Sequence, residues 1–243
     1  MKDSYIKNEI IDSFKQVGLV CKSLILVILL FSFAYIPIVL LHYIGIDYNS
    51  FSKLYKIIYM FICNLIFLSF IILLYRKTVI NDFKDYFNKK FFSNFKLSTT
   101  YWLSGVGIMI VSNIIISFIT KGGTSNNEEA VRMLIDTAPW FMLFDLALYA
   151  PLTEELIFRK SIRDFVNNKY FYIIFSGLLF GGLHVITSVD KLYELLYIIP
   201  YSAVGMAFAA LYYKTKNIFS SITVHSIHNS LSLILYLISS LLW

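Results

Sequence analysis

The chain has 243 residues, of which 58% are hydrophobic and only 15% charged, with a mean hydropathy of +0.70; ordinary soluble domains carry roughly 25% charged residues. This excludes a large water-soluble domain and implies an all-α fold, a polytopic membrane bundle of about seven or eight transmembrane helices. The net charge of +6 does not point to nucleic acid, because the 21 Lys and Arg form no stripe interleaved with aromatic residues.

Runs of about 20 apolar residues cross a hydrocarbon core, and they predict spans at 19–44, 54–75, 100–119, 138–166, 170–187, 193–213 and 218–240. The first follows Lys2, Lys7, Lys15 and Lys22 and has no small-x-small cleavage site after it, so it reads as a retained signal anchor. Cys21 and Cys63 lie in or beside apolar runs without CxxC or Cys/His spacing, which predicts neither a disulfide nor a metal site. After the second span, 76–98 places Phe83, Tyr86, Phe87, Phe91 and Phe92 among lysines, the pattern of an amphipathic segment on anionic lipid or of a solvated loop. Beyond the third span, the polar stretch Lys121 to Asp136 divides N-terminal helices at 1–136 from a core at 137–240 that holds nearly all the unusual ionisable residues. The C-terminal LISSLLW carries no lipidation signal.

Basic loops mark the cytoplasmic side. With the N-terminus inside, that side receives Lys2, Lys7, Lys15 and Lys22; Arg76, Lys77, Lys84, Lys89, Lys90 and Lys96; Arg159, Lys160, Arg163 and Lys169; and Lys214 and Lys216, 16 of the 21. The split predicts a cytoplasmic N-terminus and a C-terminus outside. The bias towards Lys, Asn and Ile suggests a bacterial plasma membrane.

Ionisable residues inside spans cost roughly 2.5 to 3.5 kcal/mol each on insertion scales and default to functional candidates. The core holds Asp145, Glu154, Glu155, Arg159, His184, His225 and His228, with Asn229 beside them. Counted at 1.5 Å per residue from the predicted turn at 166–170, Glu154 lies about 18 Å before it and His184 about 21 Å after it. From the turn at 214–217, His225 and Asn229 lie at about 12 and 18 Å. Three helices therefore bring a carboxylate, imidazoles and an amide to one depth. Glu155 and Arg159, at i and i+4, can pair or snorkel together, while Glu154 points about 100° away. Pro151 predicts a disturbed helix, and Gly177, Gly181 and Gly182 predict close helix contact or backbone approach to a substrate. Asp145 and His228 have no supporting motif and read as structural or peripheral; His42 reads as interfacial.

Glu154-Glu155-x-x-x-Arg159, Phe180-x-x-x-His184 and His225-x-x-x-Asn229, in this order on successive helices, resemble the three motifs of the CAAX prenyl protease and bacteriocin-processing (CPBP) family of intramembrane proteases. The resemblance covers roughly residues 138–235. It implies a cavity open towards the cytoplasmic leaflet in which Glu154 and His184 activate water, His225 and Asn229 stabilise the oxyanion, and Glu155 with Arg159 supports them. The implied substrate is a membrane-associated or lipidated protein, or a peptide precursor. Zinc or another divalent metal stays open, with Glu154, His184 and His225 as candidate ligands, since no HExxH is present. The alternative is a scaffold or bacteriocin immunity protein that keeps the fold without catalysis. A transporter is disfavoured because the two halves show no repeat.

Overall fold

The computed structural model describes residues 2–88 and 91–242, with the side chains of 2–8 and 10 left out of the description. Lys89 and Lys90, and the side chains of Lys2 and Lys7, thus lie outside the described residues. Among the described residues the chain is helices joined by short turns, with no strand.

The helices are α1 (Lys2–Ser32), α2 (Tyr35–Tyr43), α3 (Lys53–Leu74), α4 (Arg76–Tyr86), α5 (Phe91–Thr120), α6 (Asn126–Thr137), α7 (139–165), α8 (Lys169–Ile186), α9 (Ile198–Thr215) and α10 (Ile218–Leu242). By length and composition, six segments can cross a membrane: 11–32, α3, α5, α8, 192–215 and α10. The remaining predicted span, 138–166, is α7, an unbroken helical segment made of α turns and two wider π turns. A multi-pass helical membrane bundle is therefore what the chain builds.

Several boundaries differ from the sequence reading. The expected first span breaks at Phe33–Ala34, just ahead of Pro37, which has no N–H to give the carbonyl four residues earlier. The expected amphipathic segment 76–98 divides: 76–86 is α4, and 91–98 is the first part of the long α5. The polar stretch from Lys121 to Asp136 is mostly the amphipathic α6, started by Ser125, whose hydroxyl accepts from the Glu128 N–H at 3.2 Å.

Neighbouring helices are fastened end to end by polar groups. Asn168 caps α8 by accepting from Phe171 N–H at 3.0 Å. Lys216 takes the left-handed conformation (φ 53°) that stops α9. The first amide of α10, Ile218 N–H, is capped from a distant helix by the Asp82 carboxylate of α4 at 2.8 Å, while Asn217 donates to the Asp82 carbonyl at 2.8 Å. Burial pushes the Asp82 carboxyl above the ordinary range, and the Ile218 N–H offsets part of that rise.

The core of the bundle lies between α7 and α8, with α1, α3, α9 and α10 around it: Leu156, Ile157 and Phe158 are fully buried against Phe67, Ile71, Tyr172, Ala209 and Ile218. The outward faces remain apolar, with Ile28, Ile62, Ile115, Phe118 and Ile234 exposed, as lipid contact requires. The most extensive helix contact is between α8 and α9. Gly177 and Gly181 make it possible: a Cβ on Gly181 would stand 2.5 Å from Ser202 N, and one on Gly177 would stand 2.8 Å from Met206 N. A Cβ on the buried Gly182 would meet only Ile186 Cδ1, at an ordinary contact distance of 3.7 Å, so only two of the three glycines serve close contact.

Candidate active site

The site is organised by the distorted α7. Its first π turn, Asp145–Tyr149, sits immediately before Pro151. Pro151 lacks an N–H, so an ordinary turn cannot close there, and the wider turn takes up the mismatch. Thr153, fully buried, back-bonds to the Tyr149 carbonyl at 2.7 Å.

The second π turn, Glu155–Ser161, has no proline to explain it. Side chains from neighbouring helices instead satisfy its carbonyls. Ser176 donates to Phe158 O at 2.7 Å, Tyr172 to Arg159 O at 3.3 Å, and Ser23 to Ser161 O at 3.2 Å, with Ser161 donating in turn to Ser23 at 2.7 Å. Each bond offers a carbonyl a partner other than the usual amide, and together α8 and α1 hold the widened turn in place.

Glu155 and Arg159 span this turn. Both side chains have no solvent exposure, and the contact is two-pronged: Arg159 Nε to Glu155 Oε2 at 3.0 Å and Nη2 to Oε1 at 3.2 Å. Arg159 Nη1 also donates to Ser176 Oγ at 2.9 Å, and its guanidinium lies over Phe180 at 4.8 Å. The pair is therefore not a snorkelling couple at a helix rim. It is an anchored, desolvated ion pair at the centre of the bundle, where breaking one half leaves a buried charge uncompensated.

Glu155 reaches one step further. His225 Nδ1 lies 3.0 Å from Glu155 Oε1. Since Glu155 is the carboxylate partner of Arg159, His225 donates through Nδ1 and turns Nε2 towards Glu154, 3.8 Å from Glu154 Oε2. His184 is held in the same sense. Its Nδ1 donates to the Phe180 carbonyl at 2.8 Å, and its Nε2 stands 3.9 Å from Glu154 Oε2. Two imidazoles of fixed orientation thus face one carboxylate oxygen, and that oxygen is buried without a hydrogen-bond partner among the described residues.

Aromatic rings set the imidazole planes. Tyr201 stacks on His184 with centroids 5.2 Å apart, Phe180 packs between His184 (4.3 Å) and His225 (5.8 Å), and Phe208 lies 5.1 Å from His225. Tyr201 is tied to the start of α6 through Ser125 and Asn127, each at 3.1 Å. Neither Tyr201 nor Phe208 belongs to a motif or carries a charge, and the sequence reading does not single them out.

A cavity of about 350 Å³ opens from Glu154, His184 and His225. Asn229 lines it one turn beyond His225, and so do Asp145 and His228. Asp145 accepts from Asn64 of α3 at 2.8 Å, and His228 accepts from Trp102 of α5 at 3.4 Å. The structure thus brings Glu154, Glu155, Arg159, His184, His225 and Asn229 together, with Asp145 and His228 on the wall. From the glutamate the cavity runs towards Asn127 and Glu128 of α6 and Ser232 and Tyr236 of α10. That end lies opposite the turns carrying Lys169, Lys214 and Lys216, whereas the resemblance implied an opening on the basic side.

No group of three His, Cys, Asp or Glu side chains among the described residues is arranged to hold a metal ion. Ligand atoms sharing a tetrahedral zinc at about 2.0–2.1 Å stand roughly 3.4 Å apart; Glu154 Oε2 is 3.8 and 3.9 Å from the two nitrogens. The residues present do not form that site, but the wider spacing suits a hydrogen-bonded water.

Residues 136–231 match the family model described as type II CAAX prenyl endopeptidase Rce1-like. The chain is 31% identical over 119 residues to a Bacillus subtilis protein named "Putative membrane peptidase YdiL", covering 48% of this chain and 45% of that one. It is 28% identical over 133 residues to the UPF0177 protein YvdC of Lactococcus lactis, covering 54% and 49% respectively. With the UPF0177 protein YbdI of the same organism, identity is 27% over 156 residues, covering 61% of this chain and 82% of that one. The chain thus spans about half the length of the first two relatives. No solved structure matches it.

Proposed function

We infer that this chain, a multi-pass membrane protein whose residues 136–231 match the Rce1-like endopeptidase family model, hydrolyses a peptide bond within the membrane by means of Glu154. The observation that carries the reading is the unpartnered Glu154 Oε2 facing two imidazole nitrogens at 3.8 and 3.9 Å at the head of a cavity.

A water bonded at about 2.8 Å to each of two acceptors 3.9 Å apart bridges Glu154 Oε2 and His184 Nε2. Both of its hydrogens are then committed, and its lone pairs point into the cavity. As the water oxygen forms a bond to the scissile carbonyl carbon, its proton passes to Glu154, a step worth about 10²–10⁴-fold. The carbonyl oxygen becomes an oxyanion, and the donors available to it are Asn229 and His225. His225 can donate from Nε2 only as an imidazolium, because Nδ1 is already given to Glu155. Glu155, itself gripped by Arg159, fixes the His225 ring through Nδ1 so that Nε2 faces the cavity. Collapse of the intermediate breaks the C–N bond, and Glu154 returns the proton to the leaving amine. Glu155 and Arg159 are in this account positioning residues that act through His225.

The substrate class that fits is a membrane-associated or lipidated polypeptide, or a peptide precursor, since the site lies inside an apolar bundle. The N-terminus and the basic turns are assigned to the cytoplasm and the C-terminus to the outside. The test is cleavage of candidate substrates by protein reconstituted in lipid vesicles. Glu154→Ala and His184→Ala should abolish cleavage, and undiminished turnover in both variants would falsify the reading.

A further inference from the structure

We propose that the scissile segment reaches Glu154 from the outer face of the membrane, as a translocated polypeptide whose apolar anchor remains in the outer leaflet. The peptidase reading supplies what is cut; the route rests on separate observations.

The first is the direction of the cavity. From Glu154 it runs towards the α6 end, and there it meets a second cavity of about 390 Å³ that shares Glu128, Tyr201 and Ser232 with it. The second cavity is walled by the loop at 122–125 and by Arg132. Towards the opposite end, Leu156, Ile157, Phe158 and Ile162 of α7 and Ile218 of α10 are buried to within 1% and close the bundle. A chain arriving from that side would have to displace the core.

The second is charge. Among the Lys and Arg whose side chains are described, the buried Arg159 set aside, 11 fall at the closed end and its flanking segments and 5 at the open end if the spans alternate, and the excess marks the cytoplasmic side. The open end is therefore the outer one.

The third is the chemistry of the walls. Phe31, on the lipid-facing side of α1, is 39% exposed and also lines the cavity, so the cavity touches the lipid boundary there. Across from it stand Asn127, Tyr201, Ser232 and the Glu128–Arg132 pair, joined at 3.0 Å and without net charge. An apolar edge at one flank and a neutral polar wall at the other fit a polypeptide with one end in lipid and the other in water. They do not fit a wholly soluble peptide or a charged small molecule.

The experiment is thiol labelling in intact cells with a membrane-impermeant maleimide, in a Cys21→Ser, Cys63→Ser background. Asn127→Cys and Ser232→Cys should label without permeabilisation, and Asn167→Cys, in the exposed turn between α7 and α8, only after it. Labelling of Ser232→Cys only after permeabilisation, or in neither condition, overturns the route. So does labelling of Asn167→Cys in intact cells. Adding Glu154→Ala leaves the labelling pattern unchanged, so failure of the route and failure of the peptidase reading are read separately.

Discussion

Gly181→Ala places a methyl group where the α8–α9 interface has no room. The new Cβ would stand 2.5 Å from Ser202 N and 2.9 Å from Ile198 O, against the 3.4–4 Å of ordinary contact, and it would also overlap Ser202 Oγ. Two of these three atoms are backbone, so the strain cannot be relieved by a rotamer change; α8 must move off α9 by up to about 1 Å. Overpacking of this kind costs about 1–3 kcal/mol. At roughly 2–4 °C per kcal/mol for a chain of this size, Tm in detergent should fall by about 2–12 °C. His184 is three residues further along the same helix and reads its distance to Glu154 from this contact, so cleavage should fall more than stability, by up to about 10²-fold for a displacement near 1 Å. Gly182→Ala is the matched control: its Cβ meets nothing nearer than 3.7 Å, and alanine favours the helix by about 0.5–1 kcal/mol. Thermal melting and cleavage of both variants decide the matter. Equal behaviour of the two would refute the claim that close approach at Gly181 sets the position of His184.

Arg159→Met should lower stability by about 3–5 kcal/mol, because Glu155 is left buried without its partner, and Arg159→Lys should rescue it only in part, since a single ammonium cannot reproduce the two-pronged contact; melting curves distinguish the three proteins. Asp82→Ala removes the cap of α10 and should cost about 0.5–2 kcal/mol. Because the folded-state pKa of Asp82 is raised, the stability linked to its protonation is full below the ordinary carboxylate value, near 3.9, and is lost as pH rises through the raised value. Wild type should therefore lose ground to Asp82→Asn over that window in a pH series of melts, and parallel curves would contradict the assignment. Tyr201→Phe keeps the stack on His184 and should retain most activity, whereas Tyr201→Ala frees the ring and should lower kcat with less change in KM; identical kinetics for the two would count against the stack.

The sequence was most informative where a physical period or a ruler existed. Hydrophobic run length located the bundle, and counting 1.5 Å per residue from a shared turn put Glu154 opposite His184 before any contact was known. Helical spacing paired Glu155 with Arg159. What it could not supply came from side chains that act out of register. The π turn at Glu155–Ser161 exists because Ser176, Tyr172 and Ser23 occupy its carbonyls, and three polar residues on two other helices leave no periodic trace. The two glutamates differ through His225, which is 70 residues away and becomes a partner of Glu155 only once α10 is docked. Tyr201 and Phe208 look like any other aromatic residues in a span. The direction of the cavity depends on which end of the bundle the core fills, and composition is silent on that.

One comparison tests the separation of the two adjacent glutamates most directly: cleavage rate per folded protein and melting temperature, measured together for Glu154→Gln and Glu155→Gln. Glu154→Gln should melt like the wild type while its rate falls by about 10²–10⁴-fold; Glu155→Gln, which disturbs the buried link to Arg159 and His225, should lose stability along with activity. A Glu154→Gln protein that cleaves at the wild-type rate with unchanged melting would contradict the central claim.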